Sequence, residues 1–403
     1  MRKENYIASG RNDPIPNPDS YPSWVTSGDG AFVADEDGTE YLDLWMGFGG
    51  LLFGHGDEEI ADAIADRADE GWFFSYPTEL ERDLSQRLHE AIPCAERVRF
   101  ATSGSDAVAY AIRAARAHTG RDDVLTIEGG YHGVHEGLMD SGGVPDDRKS
   151  GLSFVPFNDA ESLRRELESE SYAAFVLEPV LANAGCVPPE DEYLETVREV
   201  CSETGTVLVF DEVVTGFRLG PGGAQERFDV VPDLSTFSKA IGNGMPLSAV
   251  CGRTGILDEF EPSGDVMFAG TFNGHPLSLV AAKTVLDRIE GEEVLETADR
   301  LGRRFREFVA DELADRDLRA TVQGVGSMAT VSFGVDEFPH GLAVQKPDRE
   351  RYRAFVDAAA DEGLLLPPLA TETMFFSPAH EPHMDDIESA VVTALDEVEE
   401  SQF

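Results

Sequence analysis

Between Arg97 and Gly252 the chain alternates short apolar runs with helical patterns, a rhythm that leaves few architectures open. The runs are Val98 to Ala101, Val124 to Ile127, Ala173 to Leu177, Val207 to Phe210, Leu234 to Phe237 and Ser248 to Cys251. Helical periodicity over Ala107 to Thr119, Glu161 to Glu168 and Glu192 to Glu203 fills intervals between them. Strands joined by helical crossovers build a mostly parallel sheet covered on both faces. The expected fold class is α/β: a large domain with a mostly parallel sheet flanked by helices, and a smaller α/β domain beside it.

The flanking segments complete this plan. The first residues, to about position 30, are rich in proline and glycine and suggest an arm that packs on something else. Gly30 to Leu44 has apolar alternation on either side of Asp37-Gly38, the pattern of a hairpin. Gly47-Phe48-Gly49-Gly50 suggests a flexible crossing, followed by helices from about Asp57 to Glu70 and Glu79 to Ile92. Beyond Glu290 come another helix, a strand at Met328 to Phe333, and helices around Arg349 to Glu362 and Asp385 to Glu399. The expected division is an N-terminal arm and hairpin over 1–50, a large domain over 51–290 and a small C-terminal α/β domain over 291–403.

Composition narrows the partners. The net charge is -45 over 403 residues, with an isoelectric point near 4.3, which argues against nucleic acid or anionic membrane. Acids are spread along the chain and lysine is the depleted cation, five lysines among 32 basic residues. Such a surface resembles that of a protein adapted to high salt, where a Debye length of about 3 Å screens the self-repulsion. The melting temperature is expected to rise between millimolar and molar salt; an unchanged value would sink this reading. Cys94, Cys186, Cys201 and Cys251 form no CxxC pair, and no apolar run follows Met1-Arg-Lys. A reduced, cytoplasmic protein without signal peptide or membrane span is expected.

In open α/β sheets ligands collect at the carboxyl ends of strands, and four informative groups stand there. Thr102-Ser103-Gly104-Ser105 opens a helix, so it forms either an anion site suited to phosphate or an ordinary N-cap. In Glu128-Gly-Gly-Tyr131-His132-Gly133 the glycines let a planar side chain lie against something flat; a packed loop aromatic is the plainer alternative. Metal ligation by His132, His135 and Glu136 is disfavoured, because the order matches no zinc-peptidase helix and the glycines spoil a helix. Asp211-Glu212 ends the most apolar run, where an acid is costly unless exposed or paired with a cation. Lys239 follows one crossover later, before a loop with Gly242, Gly244 and Pro246. A lysine needed only for charge could be arginine, but an amine that must lose its proton and attack a carbonyl could not. An Asp211–Lys239 salt bridge is the simple alternative. A phosphate site, a flat aromatic, a carboxylate and a lysine at four strand ends together fit pyridoxal phosphate better.

Ordered motifs carry a resemblance from roughly Asp29 to Glu399: Ser103-Gly-Ser-Asp-Ala107, Tyr131-His-Gly133, Glu178-Pro-Val180, Asp211-Glu-Val-Val-Thr-Gly-Phe-Arg218, Lys239 and Gly270-Thr271-Phe-Asn-Gly274. With them the chain resembles the class III aminotransferases of pyridoxal-phosphate fold type I, closest to the glutamate-1-semialdehyde 2,1-aminomutase group. The resemblance implies that Lys239 forms the internal aldimine and moves the substrate proton, that Asp211 keeps the pyridinium nitrogen protonated, and that Tyr131 stacks on the ring. Ser103, Gly104 and Ser105 would hold the phosphate, serine at 105 replacing the family's usual threonine. His132, Glu178, Asn183 and Val213 match further cofactor positions, and Glu372 and Phe48 match substrate positions, Phe48 standing where tryptophan is expected. Thr271 would contact the phosphate of a partner subunit, implying a homodimer with shared sites.

Departures concern the substrate. Asn17 to Pro22 lacks the arginine that anchors the substrate carboxylate in aminomutases, and the mobile gate after Gly133 is shortened to about Val134 to Ser153. A two-substrate aminotransferase, with a small-molecule amino donor and a keto or aldehyde acceptor, is therefore expected ahead of the aminomutase that makes 5-aminolevulinate for tetrapyrroles.

Overall fold

The computed structural model describes residues 7, 15, 18–135, 138, 143–144, 151–169, 171–341 and 346–401. Its strands are β1 (Val25–Asp29), β2 (Phe32–Asp35), β3 (Glu40–Asp43), β4 (Arg97–Ala101), β5 (Val124–Ile127), β6 (Leu152–Val155) and β7 (Ala174–Leu177). Then follow β8 (Val207–Glu212), β9 (Leu234–Phe237), β10 (Ser248–Gly252), β11 (Ala320–Gln323), β12 (Met328–Phe333), β13 (Leu364–Leu365) and β14 (Met374–Phe375).

A seven-stranded sheet runs in the order β4-β10-β9-β8-β7-β5-β6. Neighbours from β9 to β6 are parallel, whereas β10 is antiparallel to both β9 and β4. β5, β7 and β9 are buried at every position, as strands covered by helices on both faces must be. β6 lies outside the expected set of runs: it is an edge strand with Phe154 exposed, so its mixed pattern gives little strand signal.

The helix Gly104–Thr119 is fixed at both ends. Ser103 Oγ accepts from the Asp106 N–H, and Gly120 ends the helix at φ +66°. Its small residues Ala107, Ala111 and Ala114 share a buried cluster with Val176, Val209 and Leu234, so the helix lies close on the sheet.

The expected hairpin is β2–β3, with Phe32 opposite Leu42. β3 then pairs in parallel with β13, so the N-terminal hairpin and the C-terminal portion share a sheet. β11, β12 and β14 form a third sheet beside the helices Val294–Ala314, Arg349–Asp361 and Met384–Glu400. Phe305, Phe333, Phe355 and Phe376 are fully buried in this layer. At about 1.5–3 kcal/mol per buried phenylalanine, they hold the strands that flank Glu372 in place.

The acids ending β8 correct one expectation. Glu212 is wholly buried yet makes no ion pair among the described residues. Thr215 Oγ1, the Ala224 N–H and Gln225 Nε2 donate to it at 3.1, 2.5 and 2.9 Å. Hydrogen bonds take the place of the counterion, and burial pushes its carboxyl up to about 7. No helix among the described residues is long and apolar enough to cross a membrane.

Candidate active site

Lys239 opens the turn after β9 with φ +49°, a left-handed backbone that costs a non-glycine residue about 1–2 kcal/mol. Its amine makes no hydrogen bond or ion pair with any described residue. Burial lowers its pKa; Glu178, Glu372 and Asp211 pull upward, Arg218 pulls downward, and the balance is downward. The amine is thus a weaker base than an exposed lysine.

Asp211 is buried, and the simple salt bridge to Lys239 is absent among the described residues. Its Oδ2 lies 2.8 Å from His132 Nδ1, while Oδ1 accepts from the Val213 N–H at 3.1 Å and Thr236 Oγ1 at 3.3 Å. Burial opposes a charge on His132, but the Asp211 carboxylate outweighs it and raises the imidazole pKa. His132 Nε2 is buried without a partner among the described residues.

Glu178 organises two loops at once. Oε1 accepts from the Tyr131 N–H at 3.0 Å, and Oε2 accepts from Asn183 Nδ2 at 2.9 Å and the Ala182 N–H at 3.2 Å. Burial pushes Glu178 up to about 7, against the downward pull of His132. Tyr131 leaves its ring half exposed, and burial with the nearby Glu372 and Asp211 raises its phenol pKa.

These groups share one cavity of about 190 Å³, lined by Gly104, Ser105, Tyr131, His132, Gly133, Glu178, Asn183, Asp211, Val213, Val214, Ser238 and Lys239. Ser103 acts as the helix cap and does not line it. Thr271 lies elsewhere, on two larger hollows of about 340 and 710 Å³ along Gly270 to Gly274. Glu372 stands behind the wall, on a loop laid along the Asn183 turn: Thr373 Oγ1 donates to Ala182 O at 2.6 Å and the Gly185 N–H to Thr371 O at 3.0 Å. Burial raises the pKa of Glu372 against the pull of Lys239.

Residues passed over in the sequence are Thr236, Ser238 and Val214. The first two lie close to Lys239 in the chain and could have been found from that adjacency. Gly133, read in the sequence as a flank that lets a planar side chain lie flat, has a second role that is spatial: a Cβ there would collide with Ser105. His135 lies 3.5 Å from Asp106 and away from the His132–Asp211 pair; Glu136 and most of the expected gate, 136–137, 139–142 and 145–150, lie outside the described residues.

Phe48 sits on the turn Met46 to Gly49, where φ is +48°, +59°, +59° and +79°. The glycines that suggested a flexible crossing instead permit a fixed left-handed turn. Asp43 Oδ1 accepts from the Trp45 and Met46 N–H groups at 2.8 and 3.1 Å, and His55 Nε2 holds Oδ2 at 2.8 Å. At Gly49 a Cβ would come within 2.6 Å of the Phe375 ring.

The donor set suits a phosphorylated aromatic aldehyde. The Gly104 and Ser105 N–H groups at the helix start have no acceptor among the described residues, a ready anion site. A free amine, a buried carboxylate and a half-exposed ring stand on the same cavity. The family described as aminotransferase class-III matches residues 16–395. The chain belongs to the class III aminotransferases.

Glutamate-1-semialdehyde 2,1-aminomutases of Methanococcoides burtonii and Archaeoglobus fulgidus are 38% and 37% identical to this aminotransferase-family chain, over 93% and 96% of it and 92% and 95% of their own lengths. An omega-transaminase from Sphaerobacter thermophilus superposes with a TM-score of 0.91 at 28% identity, covering 98% of this chain and 95% of its own. A glutamate-1-semialdehyde-aminomutase from Pseudomonas aeruginosa gives 0.85 at 25% identity, over 93% and 87%. The fold of this class III aminotransferase is fold type I, and its cofactor is pyridoxal phosphate, which supplies an electron sink for charge developing on the substrate carbon.

Proposed function

We propose that this enzyme is a two-substrate aminotransferase in which Lys239 is the covalent anchor of the cofactor and the carrier of the substrate proton. One observation carries the reading: the Lys239 amine, without an ion pair among the described residues, opens on the same cavity as Asp211, whose carboxylate is fixed by His132, Val213 and Thr236. Its lowered basicity favours the neutral nucleophile. Asp211 would meet the ring nitrogen and Tyr131 the ring face. Gly104 and Ser105 would hold the phosphate, with Ser103 fixing the helix start, and Glu178, Asn183 and Val213 would hold the walls.

Transfer between two substrates is supported by what the N-terminal stretch does here. Where aminomutases carry a carboxylate-anchoring arginine, Ser20 Oγ donates to Asp357 at 2.6 Å and the buried Tyr21 bonds to Leu366. The names of the curated relatives favour the second reading, an aminomutase making 5-aminolevulinate. Product analysis separates the two. With glutamate-1-semialdehyde and no added acceptor, 5-aminolevulinate is expected at background; its formation would favour the aminomutase.

A homodimer fits the surface. Phe73, Tyr76 and Phe272 are half exposed or more beside Thr271, an apolar face of the kind a second copy covers. Thr271 would then reach the partner's phosphate site, and a monomer in sedimentation would refute this. The buried free cysteines and the charge of -45 support a cytoplasmic, salt-adapted enzyme. The shared β3–β13 sheet supports the hairpin of segment 1–50 working with segment 291–403 as a small domain beside the large domain 51–290.

A further inference from the structure

Arg218 is wholly buried and makes no ion pair among the described residues. Burying a guanidinium without an anion is costly, so its actual contacts are informative. Nη2 donates to Gly49 O at 2.8 Å, and Nη1 donates to Ser327 Oγ at 3.1 Å and Phe376 O at 3.4 Å. Cζ lies 4.8 Å from the centroid of the Phe375 ring, and Nε has no partner among the described residues. One planar group therefore joins three pieces of chain: the loop after Asp211, the left-handed turn 46–49, and the strand ends around β12 and β14.

That turn leads to the site. Met46 packs in one buried cluster with Val180, Ala182 and Val214, the last of which lines the Lys239 cavity. The chain beyond it is fastened to the Lys239 loop, Asn243 Oδ1 accepting from the Leu52 and Phe53 N–H groups at 2.7 and 3.0 Å. Phe48, with its ring 4.4 Å from that of Trp45, is 39% exposed.

We propose that Arg218 is a positioning residue for amino transfer, clamping the left-handed turn so that Phe48 is held at the substrate side of the Lys239 cavity. The proposal rests on the amino-transfer reading above. The clamp also carries a charge toward the amine: Lys239 faces the carboxylates of Glu178, Glu372 and Asp211, and Arg218 is the cation that opposes them. Burial lowers Arg218 only to about 10, so it is charged at neutral pH.

The test uses enzyme loaded with pyridoxal phosphate and the variants Arg218→Lys, Arg218→Met and Phe48→Ala. Benzylamine and L-glutamate serve as amino donors, and the loss of the cofactor's visible absorbance reports conversion. Phe48→Ala and Arg218→Lys are each expected to raise the half-saturating donor concentration about 10- to 100-fold, as misplaced positioning groups do. Their double variant should fall short of the product of the two effects, because both act through one turn. Without donor, Arg218→Met should move the pH midpoint of the visible absorbance upward by about one unit, since removing a cation favours the protonated form; Arg218→Lys should hold it near wild type.

Unchanged half-saturation and midpoint in these variants would overturn the proposal, as would a lowered melting temperature with neither readout moved. If the Arg218 variants fail to fold, the partly exposed Phe48→Ala decides: an unchanged half-saturation refutes the clamp. A wild type that converts neither donor counts against the amino-transfer reading; the fluorescence of Trp45, which packs on Phe48, then decides the clamp, an Arg218→Lys spectrum identical to wild type refuting it, while the donor-free midpoint of Arg218→Met decides the charge.

Discussion

Replacing Lys239 by alanine is expected to lower amino transfer by at least ~10⁴-fold, the upper end of what a general acid–base group alone contributes. Two roles vanish together, the covalent anchor and the proton carrier, so the loss should exceed that of either one. The fold should survive. The amine has no partner among the described residues whose loss would strand a buried group, and alanine meets the same left-handed strain at φ +49°. Arg in place of Lys239 should be equally inactive, because a guanidinium cannot give up its proton. Steady-state rates beside melting curves check this; a variant within about tenfold of wild type would remove Lys239 from the chemistry.

Asp211→Asn should have the second largest effect, a fall in kcat of about 10²–10³-fold, the scale of losing one preorganised electrostatic partner. The amide keeps the shape of the carboxylate and an oxygen for the Val213 and Thr236 donors, so the strand end should hold. What goes is the charge, which here is shared with no ion pair to Lys239 and is steadied instead by His132 at 2.8 Å. Cofactor retention measured by absorbance should fall in parallel with kcat. A variant that binds and turns over like wild type would mean that Asp211 only organises His132.

The large sheet was legible because strands buried on both faces are nearly continuous apolar runs, as β7 is throughout and β5 is apart from Thr126. The direction of β10 was not, since burial is the same whichever way a strand runs. The cavity residues were legible as residue types at strand ends, from Ser105 and Tyr131 to Asp211 and Lys239. How they are held was not: Glu212 is satisfied by hydrogen bonds instead of a cation, and Asp211 by a histidine from another loop. Glycines at 47, 49 and 50 announce conformational freedom without saying whether it is used for motion or for a fixed left-handed turn. The answer lies with Asp43, Phe375 and Arg218, which no local pattern connects.

Borohydride reduction of the enzyme loaded with pyridoxal phosphate, followed by peptide mass mapping, bears most directly on the central claim. The chain has five lysines, Lys3, Lys149, Lys239, Lys283 and Lys346, and the cofactor mass is expected on the peptide carrying Lys239 alone. Cofactor fixed to any of the other four, or a loaded enzyme in which Lys239 stays unmodified, would contradict it.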